Sequence, residues 1–444
     1  MLRRVLVPLL LVISLIASSC GGSDAETTTP VEEPTAASAP DPTTDATATV
    51  ESAPTVAPSA TATTPPEEPP DDADDQGPVD ATEIYDAPGE LELALPVDSN
   101  AAPGTIIDTE QLDVAGAMGQ RLLYHSTSAQ GEPIAVSGFV LYPEGDVPDD
   151  GWPLIAWAHG TTGLGDRCAP SQDAENDQLT RALVGFGYAV VATDYEGLGT
   201  PGIHPYVVGA SEAHSVLDSV RAVYELDLPV TNEWVVFGHS QGGHAAMFTG
   251  QLQPTYAPEL NMIGVVAGAP PSQMSELNDS LIGSDFQGYL IMTAAGLAAA
   301  DPELDLADIL SPEALALIDV VETGCTAEIF EVYNPLDYNE VTVVDDPFAL
   351  PDWGSAVEIN DTNLLPVPAP LLLIHGGEDE QIPVETSAAL FDQLCAMTGQ
   401  GPTVRNVYEG QSHAGVLTTF VAVPDLLAWT EARFAGEPAP TTCP

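Results

Sequence analysis

Short apolar runs alternate with amphipathic stretches along most of this chain. Runs at 121–125 and 134–142 flank Gly131 and predict a β-hairpin. Buried strands are predicted at 153–158, 188–194, 234–237, 262–267, 371–374 and 404–408. Helices are predicted between them at 179–186, 211–226, 241–252, 384–397 and 415–434. The 211–226 helix carries Val216, Leu217, Val220 and Val223 on one stripe. Apolar strands alternating with helices predict an α/β fold, a mostly parallel central sheet covered on both faces.

One segment breaks the rhythm. About a hundred residues separate the strand ending near Ala267 from the one starting at Leu371, far beyond a normal connection. Helical stretches at 285–299, 304–310 and 312–321 make 271–350 an expected inserted helical cap. Its apolar stretches Tyr289-Leu290-Ile291-Met292 and Leu315-Ala316-Leu317-Ile318 are expected to line a covered tunnel for an apolar chain.

The N-terminus follows a different pattern. Arg3 and Arg4 precede an apolar run over 5–16, then Ala17-Ser18-Ser19-Cys20. The run is short for a membrane span and reads as an export signal over 1–20. Small residues before Cys20 resemble a bacterial lipobox, in which Cys20 takes the lipid; simple cleavage nearby is the other reading. Membrane association is expected only through that anchor. Residues 21–80 are rich in Thr, Pro, Ala, Asp and Glu and predict a disordered acidic spacer. The folded domain is expected over 81–444.

Composition narrows the chemistry. Among 444 residues there are 67 Asp+Glu and 8 Lys+Arg, a formal net charge of −59. All eight basic residues are Arg, which excludes a lysine Schiff base and a phosphate-loop lysine. Such a polyanion repels nucleic acid, so no nucleic-acid partner is expected. The excess extends past residue 80, where 53 of the acidic residues lie, and resembles a surface adapted to salt. Apart from Cys20, the cysteines are Cys168, Cys325, Cys395 and Cys443. In an exported chain they predict two disulfides, with three connectivities open. No C-x-x-C or H-E-x-x-H supports a metal site.

The reactive chemistry is concentrated at Gly238-His239-Ser240-Gln241-Gly242, a G-x-S-x-G nucleophile elbow between a strand and a helix. The glycines keep side chains out of a tight turn that lifts Ser240 to its apex. The helix N-terminus beneath favours developing negative charge, and the Gln241 amide is one candidate oxyanion donor. A serine nucleophile needs a base and an orienting acid. His413 and Asp379 each follow a predicted strand, and the order Ser240, Asp379, His413 is that of the α/β-hydrolase fold. Glu378 and Glu380 compete as acid, and His375 and His204 as base. His239 and His244 are expected to pack structurally, and His125 and His214 to fill core or surface. His159-Gly160-Thr161-Thr162-Gly163 offers the Thr161 amide, with Thr162 second, as the other oxyanion donor. Gly197-Leu198-Gly199-Thr200-Pro201-Gly202 fits G-x-G-x-x-G, but Pro201 denies the helix that a dinucleotide site requires. Asp194-Tyr195 before it is expected to be structural.

Jointly, the elbow with Gln241-Gly242-Gly243, the His159-Gly160-Thr161 loop followed by Cys168-Ala169-Pro170, the His375-Gly376 segment before Asp379, and the cap resemble the secretory lipase family over roughly 105–435. The resemblance implies an α/β-hydrolase fold with a helical cap and the cleavage of carboxylic esters, including triacylglycerols, without a cofactor. It implies Ser240, Asp379 and His413 as triad and the pairings Cys168–Cys325 and Cys395–Cys443. The lipobox-like start and acidic spacer depart from the family pattern. Two other readings stand beside esterase or lipase: another serine hydrolase on this scaffold, such as a peptidase or acyltransferase, and a non-catalytic surface binding protein.

Overall fold

The computed structural model describes residues 97–419 and 421–444. The expected signal segment 1–20, with Cys20, and the expected spacer 21–80 lie outside the described residues.

Nine strands form one sheet in the order β1-β2-β3-β5-β4-β6-β7-β8-β9. They are β1 (Ile106–Leu112), β2 (Ala117–Thr127), β3 (Pro133–Pro143), β4 (Trp152–Ala158), β5 (Ala189–Thr193), β6 (Val230–His239), β7 (Asn261–Gly268), β8 (Leu371–Gly376) and β9 (Thr403–Tyr408). The first three pair antiparallel, and β3 pairs antiparallel with β5. From β5 onward every pairing is parallel. Strand β1 was not among the expected elements. Its IIDTEQL has apolar residues only at its two ends, and it is a part-exposed edge strand with no alternating signal.

Alternation along the central strands splits the core into two layers. Leu154, Ala156 and Ala158 face one side with Trp234 and Val236. Ile155 and Trp157 face the other with Val235 and Phe237. In chain order, α1 (Gln178–Gly185) covers the second face and α2 (Gly209–Glu225) and α3 (Gln241–Tyr256) the first.

Between β7 and β8 lies the helical insertion: α4 (Met274–Leu281), α5 (Gln287–Ala300), α6 (Pro312–Leu315), α7 (Ile318–Thr323), α8 (Thr326–Tyr333), α9 (Tyr338–Val341) and α10 (Pro351–Ile359). Helices thus continue beyond 350, and the expected 304–310 helix is only a 3₁₀ turn at Leu306–Asp308. The insertion has its own apolar core, in which Leu290, Ile291 and Met292 are fully buried. Leu315, Leu317 and Ile318 also pack against that core. Only Tyr289 of the expected tunnel-lining stretches reaches the cavities at Ser240 described below. Helix α5 is apolar nearly all round, so its sequence cannot tell a cap core from a tunnel wall.

The chain ends with α11 (Val384–Ala396), α12 (Gly415–Thr418) and α13 (Val423–Phe434). The single helix expected over 415–434 is broken, because Pro424 is accommodated in the first turn of α13 and not inside a helix. Cys168 is bonded to Cys325, and Cys395 to Cys443.

Candidate active site

Strand β6 delivers the chain to Ser240, and α3 starts at the next residue. Ser240 has φ 60° and ψ −124°, a conformation that costs a non-glycine residue of order 1–3 kcal/mol. The surroundings enforce it. The Ser240 amide donates to the Gly268 carbonyl at 2.9 Å, and the Ser240 carbonyl accepts from the His244 amide at 3.1 Å. No larger residue fits at the flanks. A Cβ on Gly238 would fall 1.9 Å from the Gly242 carbonyl oxygen, and one on Gly242 would fall 1.9 Å from that of Ala158.

Asp379 and His413 come from the loops after β8 and β9. Those loops are clamped together by Gly377 N to Tyr408 O at 2.8 Å and Glu378 N to Gln411 O at 2.9 Å. His413 Nδ1 lies 2.7 Å from Asp379 Oδ2. The other carboxylate oxygen accepts from the amides of Gln381 at 3.0 Å and Ile382 at 2.9 Å. Burial pushes the Asp379 carboxyl up, but bonds from His375 and His413, the His413 charge and the Ile382 amide outweigh it. They hold the group well below the usual carboxylate range. An ionised Asp379 fixes the tautomer with the proton on Nδ1 and leaves Nε2 free as a base.

The competing residues have other places. Glu380 accepts from the backbone amide of His413 at 3.0 Å. Glu378 is exposed. His375 is fully buried beneath Asp379, with Nε2 3.0 Å from the Ile382 carbonyl and 3.2 Å from Oδ2, and Nδ1 2.8 Å from Ser387 Oγ. His204 lies in the buried layer next to α3, with Nε2 2.8 Å from the Gln241 side chain. Burial, offset in part by the Glu196 carbonyl, brings its imidazole down to about 3, so it is neutral.

Ser240, His413, Thr161 and Gly160 line one cleft of about 520 Å³, with Tyr289 of the cap and Gln381 at its side. Among the described residues no hydrogen bond joins Ser240 Oγ to His413 Nε2; such contacts tighten when substrate closes the site. The Gly160 loop passes close to the elbow, since a Cβ there would sit 3.8 Å from Ser240 Cβ. Thr161 Oγ1 bonds to Tyr206 Oη at 2.9 Å, which holds the loop on that side. The Gln241 side chain is turned into the protein, where it meets His204 and Glu212. On the other side of Ser240 runs a narrower apolar channel beneath the cap, about 30 Å³, room for a water or two.

A buried polar cluster behind the elbow was not among the expected functional residues. His244 Nδ1 lies 2.6 Å from Glu212 Oε2, both side chains fully buried. Its Nε2 is 2.8 Å from the carbonyl of Asn360, just after α10, and Glu212 Oε1 accepts from Gln241 Nε2 at 3.0 Å. Burial works against charge on His244, but the Glu212 charge and bonds from Glu212 and Asn360 raise its pKa overall. The cluster ties α2, α3 and the end of the cap together. In sequence Glu212 reads as an ordinary acidic residue in a helix's first turn. Asp194 is likewise structural, accepting from Ser137 Oγ at 2.7 Å and the Ser171 amide at 2.8 Å.

A family model described as secretory lipase matches residues 171–442. A secreted triacylglycerol lipase of Malassezia globosa is 26% identical over 347 residues, covering 73% of this chain and 74% of its own. A protein of Mycobacterium tuberculosis named a probable inactive lipase is also 26% identical, covering 76% of this chain and 80% of its own. The crystal structure of Candida antarctica lipase A superposes with a TM-score of 0.69 at 20% identity, over 81% of this chain and 88% of that one, and shares the α/β-hydrolase fold. This chain belongs to the secretory lipase family.

Proposed function

We propose that this protein is an exported serine carboxylic-ester hydrolase in which Ser240 is the nucleophile, His413 the base and Asp379 the orienting acid. The observation that carries the reading is the 2.7 Å contact of His413 with Asp379 in the cleft that Ser240 lines. Ser240 attacks the ester carbonyl while His413 Nε2 takes its proton. Asp379 stabilises the imidazolium. The amides of Gln241 and Thr161 hold the oxyanion, and His413 returns the proton to the leaving alcohol. Water then repeats the cycle on the acyl-enzyme. One relative carries the name of an inactive lipase, so family membership alone does not make an enzyme; here the full serine, histidine and aspartate set supports activity.

Acyl esters such as triacylglycerols are the proposed substrates, with the acyl chain in the channel walled by Met274, Leu277 and Leu281. Cys20 is the proposed lipid attachment point, and 21–80 the spacer that holds the domain off the cell surface. The channel's small volume favours one second reading, a short-chain esterase. A p-nitrophenyl ester series separates the two. Each added pair of methylenes is expected to raise kcat/KM roughly tenfold until the channel is filled. Rejection of everything longer than acetate establishes the short-chain reading, and cleavage of peptides but not esters overturns both.

A further inference from the structure

Helix α4 buries four side chains, Met274, Leu277, Asn278 and Leu281. All four line the channel that runs from Ser240 beneath the cap. Three are apolar, and the fourth is an amide. Asn278 is 3% exposed, and its Nδ2 has no hydrogen-bond partner. A leucine at this place would complete the apolar stripe and remove an unsatisfied donor. The amide therefore opposes stability where it stands, and Asn278 belongs to the lining of a channel that also reaches the candidate nucleophile. As it stands the channel holds only a water or two, so an acyl chain enters by parting the cap side chains; an all-carbon chain passing Asn278 would then displace any water there and leave the donor unpaired. A chain with an oxygen at that depth would satisfy it.

We propose that Asn278 reads an oxygen on the acyl chain, so that the preferred esters carry a hydroxyl or keto oxygen partway along it. The proposal rests on Ser240 being the nucleophile. Asn278 selects among acyl chains and takes no part in bond making.

The test uses p-nitrophenyl decanoate and a set of monohydroxydecanoates in which the hydroxyl is moved stepwise along the chain, with wild type and Asn278→Leu. The readout is the ratio of kcat/KM for each hydroxylated ester to the plain one within each protein, so differences in folding or overall activity cancel. Wild type is expected to favour one hydroxyl position by about threefold to tenfold, the worth of one neutral hydrogen bond. Asn278→Leu is expected to lose that preference and favour the plain chain. The wild-type scan alone suffices if the variant does not fold. Fluorophosphonate labelling of Ser240 and turnover of the acetate ester check the nucleophile separately. A labelled, active enzyme with no positional preference, or with the same preference in Asn278→Leu, overturns the Asn278 assignment alone. A protein that neither labels nor turns over acetate overturns the nucleophile and this proposal with it.

Discussion

His375 Nε2 lies 3.2 Å from Asp379 Oδ2, the same carboxylate oxygen that His413 engages. Two imidazoles thus share one acid, one facing the cleft and one sealed beneath it. The buried ring is anchored at its far side by Ser387 Oγ, which in turn accepts from Arg405 Nε at 3.0 Å. His375 is expected to act as a positioning residue for Asp379. His375→Phe is expected to lower kcat by about tenfold through loss of one hydrogen bond to a charged group. It should also move the acid limb of the pH–rate profile upward, because a carboxylate with one donor fewer holds its remaining imidazole donor more tightly. His375→Gln, which keeps a donor, should recover part of both effects. An unchanged pH profile in His375→Phe would show that the contact is only packing.

A second prediction concerns His239, at the end of β6. Its ring lies 4.7 Å from that of His413, and its Nε2 is buried with no partner. Burial, with the neighbouring His413 adding to it, lowers its imidazole to about 3. The unfolded chain titrates near 6.5. A base with a depressed folded pKa stabilises the fold fully above about pH 6.5 and loses that contribution as pH falls towards 3. Wild type should therefore lose stability relative to His239→Gln on acidification, by up to about 1.4 kcal/mol per pH unit within that window. Urea unfolding of both proteins across the range checks this; parallel stability curves would exclude it.

The two disulfides should differ in their effect on turnover. Cys168–Cys325 closes 157 positions and joins the loop after Thr161 to the start of α8. Backbone bonds reinforce the seam, with Thr326 N to Thr162 O at 3.0 Å and Leu164 N to Gly324 O at 3.2 Å. Cys395–Cys443 closes 48 positions and pins the tail, where Thr442 N bonds to Thr403 O at 2.8 Å. Chain-entropy reasoning gives about 5 and about 4 kcal/mol respectively. Replacing either pair by serine should lower Tm. Only loss of Cys168–Cys325 should also lower kcat, because it frees the loop carrying Thr161. Thermal unfolding and ester turnover on both double variants decide it, and equal kcat losses would contradict the distinction.

Much of the site is visible in the sequence because its parts sit at punctuation marks. Ser240 follows a β-branched strand and is framed by glycines, and Asp379 and His413 each follow a short apolar strand. Side-chain direction is what the sequence leaves open. His375 competes with His413 as a base in the sequence, until β8 seals one beneath Asp379 and the loop after β9 sets the other at the cleft. Glu212 is one polar residue in the first turn of an amphipathic helix, and nothing local reveals that it meets His244 on another helix. Leu290 to Met292 read as surplus apolar surface. The insertion is large enough to need a core of its own, and it uses them there.

Fluorophosphonate labelling followed by peptide mass mapping decides whether Ser240 is the nucleophile activated by the His413–Asp379 pair. One adduct is expected, on the peptide containing Ser240. Ser240→Ala should give no adduct and a fall in ester turnover of about 10⁴ or more. An adduct on another residue, or near-normal ester turnover by purified Ser240→Ala, would contradict it.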